Sequence, residues 1–219
     1  MNNSYLAKGL SLAAHLIRRP QLIPSYLRHL PCWGGQPMMR ELPWISFGAL
    51  HYLEAHLQPH HEVFEFGGGG STLYFARRTR SVVTIESHAE WHERLVSMLN
   101  QRRLRNVRCE LHPLTGDAIE QFQNDSFFQS IRKRMWDVIL VDCYCGFSAS
   151  PFGQLRPHAL TLAMEQLKPG GFIVLDDSWM YQSLLTPRLG WRIIDYIGPG
   201  PCRYGVTSTA ILEKLPPAK

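Results

Sequence analysis

The chain has 219 residues, which is enough for one domain with a full hydrophobic core. It is 45% hydrophobic and 19% charged, with a formal net charge of +5, which is the composition of a globular protein. Its five cysteines lack the spacing of a disulfide framework or a zinc site, so a reduced, cytoplasmic setting is expected. No apolar run approaches the ~20 residues of a membrane span.

Residues 1–41 are predicted to be a helical and irregular appendage to a domain that covers residues 42–219. Residues 5–17 have the pattern of an amphipathic helix, and Pro20, Pro24, Pro31 and Pro37 divide the segment that follows. The helix is expected to cap the core, to pack in a dimer or to make a peripheral contact with a membrane. The sequence leaves these alternatives, and the oligomeric state, open.

Strands and helices alternate through the rest of the chain. Helices are predicted at 45–57, 73–78, 89–101, 115–134 and 153–167, and a Lys-Pro-Gly-Gly turn at 168–171 ends the last of them. Strands are predicted at 63–66, 81–86, 106–112, 136–142, 172–177, 191–197 and 208–212. Their continuous apolar runs suit parallel strands that are covered on both faces, whereas no helix separates the last two. The pattern predicts a doubly wound α/β fold with helices on both faces of a mostly parallel seven-stranded sheet with an antiparallel C-terminal strand.

A glycine-rich turn follows the first predicted strand. Glu65 lies at the strand end, Gly67, Gly68, Gly69 and Gly70 come next, and Ser71 and Thr72 open a helix. Glycine lets the backbone approach a ligand closely, and the free N–H groups of the helix start can face that ligand. The carboxylate of Glu65 is expected to reach the same crevice.

Acidic residues end four of the predicted strands, at Glu65, Glu86, Asp142 and the pair Asp176 and Asp177. Parallel strands bring their carboxyl ends to one edge of a sheet, so these acids are expected to converge there. A carboxylate at the position of Glu86 can accept hydrogen bonds from two ribose hydroxyls. The G-x-G-x-x-G pattern of a dinucleotide site fails, and a pyrophosphate would be repelled by the acid at the turn. The ligand inferred from these residues is a positively charged nucleoside.

These motifs resemble those of the class I S-adenosylmethionine-dependent methyltransferases, over residues 45–212. The E-x-G-x-G loop begins at Glu65, Glu86 matches the ribose acid, and Gly116-Asp117-Ala118 resembles a segment that contacts adenine. Residues 137–142 and 167–171 resemble the fourth-strand motif and the turn into strand five. The resemblance implies S-adenosylmethionine (SAM) as cofactor. The implied cofactor-binding residues are Glu65, Gly67, Gly68, Gly69, Ser71, Thr72, Glu86, Ser87, Trp91, Asp117, Ala118 and Asp142.

The resemblance also suggests how the reaction is catalysed. Asp142 is the first candidate for a general base, and Asp177, after the fifth strand, is the second. Methyltransferases of the catechol type bind Mg²⁺ with such acids and an adjacent Asn, but Ser178 stands at that place, so no metal is expected. Arg156 and His158 could assist near these acids, but most isolated residues of this kind lie at the surface, so a surface position is expected for Arg156.

The predicted function is methyl transfer to a small-molecule acceptor, at oxygen. A glycan, a lipid-linked compound or a macromolecule is the alternative acceptor, and a cofactor-binding protein without catalysis is a further alternative. No nucleic-acid partner is expected. The missing third glycine and the terminal antiparallel pair disfavour an NAD-dependent oxidoreductase.

Overall fold

The computed structural model describes residues 5–29, 37–114, 124–143 and 155–216. Seven strands form its central sheet: β1 Glu62–Phe66, β2 Ser81–Glu86, β3 Val107–Leu111, β4 Trp136–Val141, β5 Leu167–Asp176, β6 Trp191–Gly198 and β7 Thr207–Lys214. Their order across the sheet is β3-β2-β1-β4-β5-β7-β6. The pairs among β1 to β5 are parallel, and β7 runs antiparallel to both of its neighbours. The predicted sheet is confirmed.

Helices cover both faces of this sheet, as the sequence predicts. They are α1 Tyr5–Arg18, α2 Ile23–His29, α3 Pro37–Arg40, α4 Phe47–His56, α5 Gly70–Ala76, α6 Ala89–Gln101, α7 Ser126–Gln129 and α8 Leu155–Gln166. The alternation of side chains along β1 shows the two faces, because Phe64 and Phe66 pack with α7 and α8. Val63 instead packs with residues of α1, α2, α4 and α5.

Two predicted elements differ from the structure. The fifth strand begins at Leu167 and not after the Lys-Pro-Gly-Gly turn, because Leu167 already pairs with Trp136. The next pair is Val138 with Phe172, so residues 168–171 form an irregularity in β5 opposite Asp137. The two strands lie close together here and require glycine at position 171, since a Cβ on Gly171 would lie 2.5 Å from the carbonyl oxygen of Asp137. The second difference concerns the helix predicted at 115–134. In its described part only α7 and a 3₁₀ turn at Ser130–Lys133 are helical, and residues 115–123 lie outside the described residues.

The N-terminal segment packs against the domain. Leu12, Leu22 and Tyr26 are buried in the same hydrophobic cluster as α4. Because these residues share one hydrophobic cluster with α4, the domain boundary at residue 41 stays a prediction from the sequence. Within the described ranges, no helix has the length and apolar character to cross a membrane.

Candidate functional site

The glycine turn lies at the carboxyl edge of the sheet, between β1 and α5. At this point the strand order reverses, because β1 pairs with β2 on one side and with β4 on the other. Ligands of open α/β sheets bind in the crevice at such a reversal. The fold therefore puts the glycine turn at the place where a ligand site is expected.

Gly67 is required by the close approach of two strands. Its φ is +91°, and a Cβ on it would lie 2.6 Å from the carbonyl oxygen of Asp142 at the end of β4. Any side chain at Gly67 would be strained and would push the ends of β1 and β4 apart. Gly69 differs, since a Cβ there would lie 3.5 Å from the ring of Trp91, an ordinary contact distance.

This difference gives a prediction for two matched substitutions. We expect Gly67→Ala to lower the free energy of unfolding by about 2 kcal/mol or more, because it adds left-handed strain and a backbone clash. Gly69→Ala is expected to change it by less than about 1 kcal/mol. Urea unfolding followed by circular dichroism measures both. Equal loss of stability in the two variants would contradict the geometry of the turn.

The carboxylate of Glu65 is fully buried near the carboxyl end of β1, next to the glycine turn. Its side chain is 0% exposed, on the face of β1 that packs against α5. Neither carboxylate oxygen has a hydrogen bond of standard geometry among the described residues, although the hydroxyl groups of Ser71, Thr72 and Thr84 lie near it. Burial raises the pKa of Glu65 to about 8, although the nearby hydroxyl groups of Ser71, Thr72 and Thr84 lower it. The group is therefore largely protonated at neutral pH and would gain most from a cationic partner.

Glu86 connects the glycine turn with the end of β2. Its Oε2 accepts a hydrogen bond from the Gly68 backbone N–H at 3.1 Å. Its Oε1 accepts from the N–H groups of Ser87 and His88, at 2.7 and 2.9 Å. A carboxylate has about four lone-pair positions. These three hydrogen bonds therefore orient Glu86 and leave it about one position for a further donor.

The other residues of the turn largely bind one another. The hydroxyl of Thr72 accepts a hydrogen bond from the Gly69 N–H at 3.0 Å, so this N–H is already paired. The indole N–H of Trp91 donates to the carbonyl of Gly68, which holds Trp91 against the turn. Ser71 is buried beside Glu65. The structure thus brings together the predicted residues 65–72, 86, 87 and 91 around one turn.

Asp142 is held by an arginine that the sequence analysis placed at the surface. Arg156 is buried at the start of α8, and its Nη2 donates to Asp142 Oδ1 at 2.8 Å. The same guanidinium donates to the carbonyl oxygens of Cys143 and Asp176. The expectation for Arg156 is wrong, because it satisfies backbone carbonyls and carboxylates at the carboxyl ends of β4 and β5.

Asp142 keeps some access to solvent, with 29% of its side chain exposed. Arg156 binds this side chain at Oδ1. Burial and the charge of Asp177 raise the pKa of Asp142, and Arg156 partly offsets this. Such a carboxylate can accept a proton at its other oxygen.

Asp177 is fully engaged. Its Oδ1 accepts hydrogen bonds from Arg203 at 3.3 Å, Thr207 at 3.2 Å and Trp179 at 3.3 Å. Its Oδ2 lies 3.4 Å from Arg156 Nη1. The two arginines hold the pKa of Asp177 below its ordinary value, although burial opposes them. Arg203 also reaches Asp176 Oδ2 at 3.6 Å, so two arginines and three aspartates form one network.

These residues do not fit a Mg²⁺ site. The carboxylates of Asp142 and Asp177 already pair with two guanidinium groups, which would repel a dication. The hydroxyl of Ser178 is bonded to Asp195 at 2.6 Å and to Ser208 at 2.7 Å. Within the described ranges, no group of three His, Cys, Asp or Glu residues could hold a metal ion.

Two predicted site residues, Asp117 and Ala118, lie outside the described residues, as does most of the loop after β4. The site also contains Thr84, Arg156 and Arg203, which are not among the site residues predicted from the sequence. Thr84 could have been found from strand alternation, because it pairs with Glu65 across β1 and β2. The two arginines gave no local signal, since their carboxylate partners are 14 to 27 residues away.

Comparison with known proteins identifies the fold. No protein-family model matches the chain, and no curated protein matches it in sequence. A structure from Klebsiella pneumoniae assigned as an O-methyltransferase has a TM-score of 0.61 and 16% identity, over 95% of this chain and 99% of that one. The O-methyltransferase TomG from Streptomyces achromogenes, involved in tomaymycin synthesis and in complex with SAM, has a TM-score of 0.57 and 18% identity, over 77% and 79%.

An RNA-modifying protein has a similar structure. The rRNA methylase from Streptococcus thermophilus has a TM-score of 0.52 and 13% identity, over 77% of this chain and 95% of that one. At such identities these likenesses establish the architecture and leave the acceptor undetermined. The chain therefore has the Rossmann-like fold of the class I SAM-dependent methyltransferases.

Proposed function

We propose that the protein is a SAM-dependent methyltransferase. The observation that carries this proposal is the buried carboxyl group of Glu65, whose oxygens have no hydrogen bond of standard geometry among the described residues. Burial without a cationic partner makes the ionised form of this group costly and keeps it protonated at neutral pH. A cation would stabilise the ionised form, and SAM carries an ammonium group beside its sulfonium. The acidic surroundings also support a cationic ligand, because Glu86 and Asp142 lie at the same edge.

The residues around the turn fit such a cofactor. Glu65 would hold the ammonium group, and the turn at Gly68 and Gly69 would face the amino-acid part. Glu86, oriented by three backbone N–H groups, would accept a hydrogen bond from the ribose. Contacts of Asp117 and Ala118 with the adenine stay proposals from the sequence. When bound, SAM would supply an electrophilic methyl group.

We assign the role of general base to Asp142 for an acceptor that reacts at a hydroxyl oxygen. Its Oδ2 would take the proton of the hydroxyl, while Arg156 holds Oδ1 and orients the side chain. Asp177 is better suited to positioning, because its oxygens are saturated by donors and its pKa is lowered. Two neighbours named as O-methyltransferases support oxygen as the methylated atom.

A binding assay tests the cofactor. In isothermal titration we expect S-adenosylhomocysteine (SAH) and SAM to bind, and NAD to give no heat of binding. A second assay, release of SAH in the presence of hydroxyl-bearing acceptors, tests turnover, and Asp142→Asn should lower kcat by about 10²-fold or more. Absence of SAH and SAM binding would overturn the proposed function. SAH binding without turnover on any acceptor would favour a cofactor-binding protein without catalysis.

A further inference from the structure

Helix α1 is apolar on two sides. Leu12 is buried and Leu16 is partly buried, and both pack on the hydrophobic cluster of the domain. Leu6, Leu10 and Ile17 are 72%, 63% and 79% exposed. At about 100° per residue, the exposed apolar residues follow one line along the helix. This line, called the α1 stripe below, consists of Leu6, Leu10, Ala13 and Ile17.

The two short helices that follow also expose apolar residues. Ile23 and Leu27, one turn apart in α2, are exposed, and so is Met39 in α3. Single exposed apolar residues are ordinary on a protein surface, whereas a row of them along one face of a helix marks a contact with a partner. The α1 stripe is such a row, and Ile23, Leu27 and Met39 add to the exposed apolar area of the described N-terminal segment.

The net charge of the protein resides in the same segment. Five of its 23 Lys and Arg residues and none of its 18 Asp and Glu residues lie in residues 1–40, so the remaining 18 basic and 18 acidic residues balance. The five are Lys8, Arg18, Arg19, Arg28 and Arg40. An exposed apolar stripe thus lies in a 40-residue segment that carries five positive charges and no negative one, whereas the charges of residues 41–219 balance.

We propose that α1 and α2 form a docking surface for an anionic lipid bilayer. Amphipathic helices with a basic polar side lie in the headgroup region and bury their apolar side, and anionic lipids attract the basic residues. Charge complementarity selects this occupant. A second copy of the chain would bring five like charges against five, and a nucleic acid would leave the α1 stripe in water.

The docking surface adjoins the candidate site. The hydroxyl of Tyr204 donates to the carbonyl of Tyr5 at 3.1 Å, and the side chain of Lys8 packs against Gly205. The preceding residue in this β6–β7 loop, Arg203, bonds Asp177. Docking would therefore bring the carboxyl edge of the sheet to the bilayer. If the proposed function holds, the acceptor is an amphiphile taken from the bilayer, whereas docking itself does not depend on that function.

Cosedimentation of the full chain with vesicles tests the docking. Wild type should bind vesicles of mixed phosphatidylcholine and phosphatidylglycerol at about 0.1 M ionic strength. Binding should fall more than about tenfold in vesicles of phosphatidylcholine alone, and likewise in the Leu10→Glu/Ile17→Glu variant. Leu189→Glu is the matched control, because Leu189 is fully exposed ahead of β6, at the opposite edge of the sheet. This control should bind as wild type does.

Three results would overturn the proposal. The first is a failed vesicle test: wild type stays in solution with mixed vesicles, or the double variant sediments with them as well as wild type does. The second is a wild-type dimer that the double variant converts to a monomer, with no vesicle binding by either. The third is binding to an RNA homopolymer but not to vesicles. Titration with SAH in the absence of vesicles tests the proposed cofactor binding separately. The docking proposal and the proposed function can therefore fail independently of each other.

Discussion

Glu65→Gln is expected to stabilise the ligand-free protein at pH 8, by on the order of 3–5 kcal/mol, while it weakens cofactor binding. The pKa of Glu65 is about 8 in the folded protein, against an ordinary value of 4.5. Between these pH values the folded state binds more protons than the unfolded state, so the wild type loses stability as the pH rises. The neutral amide does not ionise, and the hydroxyl groups near it can accept its N–H bonds.

The measurement is the free energy of unfolding in urea between pH 5 and about pH 9. The free energy of unfolding of wild type, relative to Glu65→Gln, should fall steadily from pH 5 to about pH 8 and then level off, because Glu65 is ionised in both states above its folded pKa. The other titrating groups cancel in the subtraction. Glu93→Gln, a substitution at an exposed site of α6, is the control and should track the wild type. Parallel curves for wild type and Glu65→Gln would mean that Glu65 does not carry a raised pKa.

Arg156→Met is expected to have the largest destabilising effect, about 3–5 kcal/mol. The substitution keeps much of the apolar volume but removes the donors to Asp142 and to the carbonyl oxygens of Cys143 and Asp176. A buried carboxylate left without its partner is more costly than the ion pair itself is favourable. Urea unfolding at pH 7 measures the loss.

Two further variants separate the network from a simple packing effect. Adding Asp142→Asn to Arg156→Met should recover part of the loss, because it removes the charge that the first change leaves unpaired. Arg132→Met removes an exposed ion pair with Glu165 at 3.1 Å and should cost less than about 1 kcal/mol. A loss at Arg156 no larger than that at Arg132 would contradict the buried network.

Much of the fold could be predicted because its signals are local. β2 and α6 have the predicted bounds, since a β-branched run and a helical repeat each end at clear boundaries. The start of β5 was missed because the Lys-Pro-Gly-Gly segment at 168–171 was expected to precede the strand, whereas it lies within β5 as an irregularity. The pairing of Leu167 with Trp136 ahead of it depends on the neighbouring strand, which residues 167–171 alone do not indicate.

The candidate site divides in the same way. The strand-end rule brought Glu86, Asp142 and Asp177 to one edge, because parallel strands align their carboxyl ends. It did not reveal that two arginines from distant segments hold Asp142 and Asp177. Nor did it reveal the burial of Glu65, which depends on the face of β1 that α5 covers.

The proton balance of SAH binding tests the central claim most directly. SAH should be titrated into wild type and Glu65→Gln at pH 7, in buffers with different heats of ionisation. A carboxyl group with a pKa of about 8 must lose its proton to pair with the ammonium group, so wild type should release about one proton per SAH bound. Glu65→Gln should release none and bind at least about tenfold more weakly. Tight binding by both proteins without proton release would contradict the account.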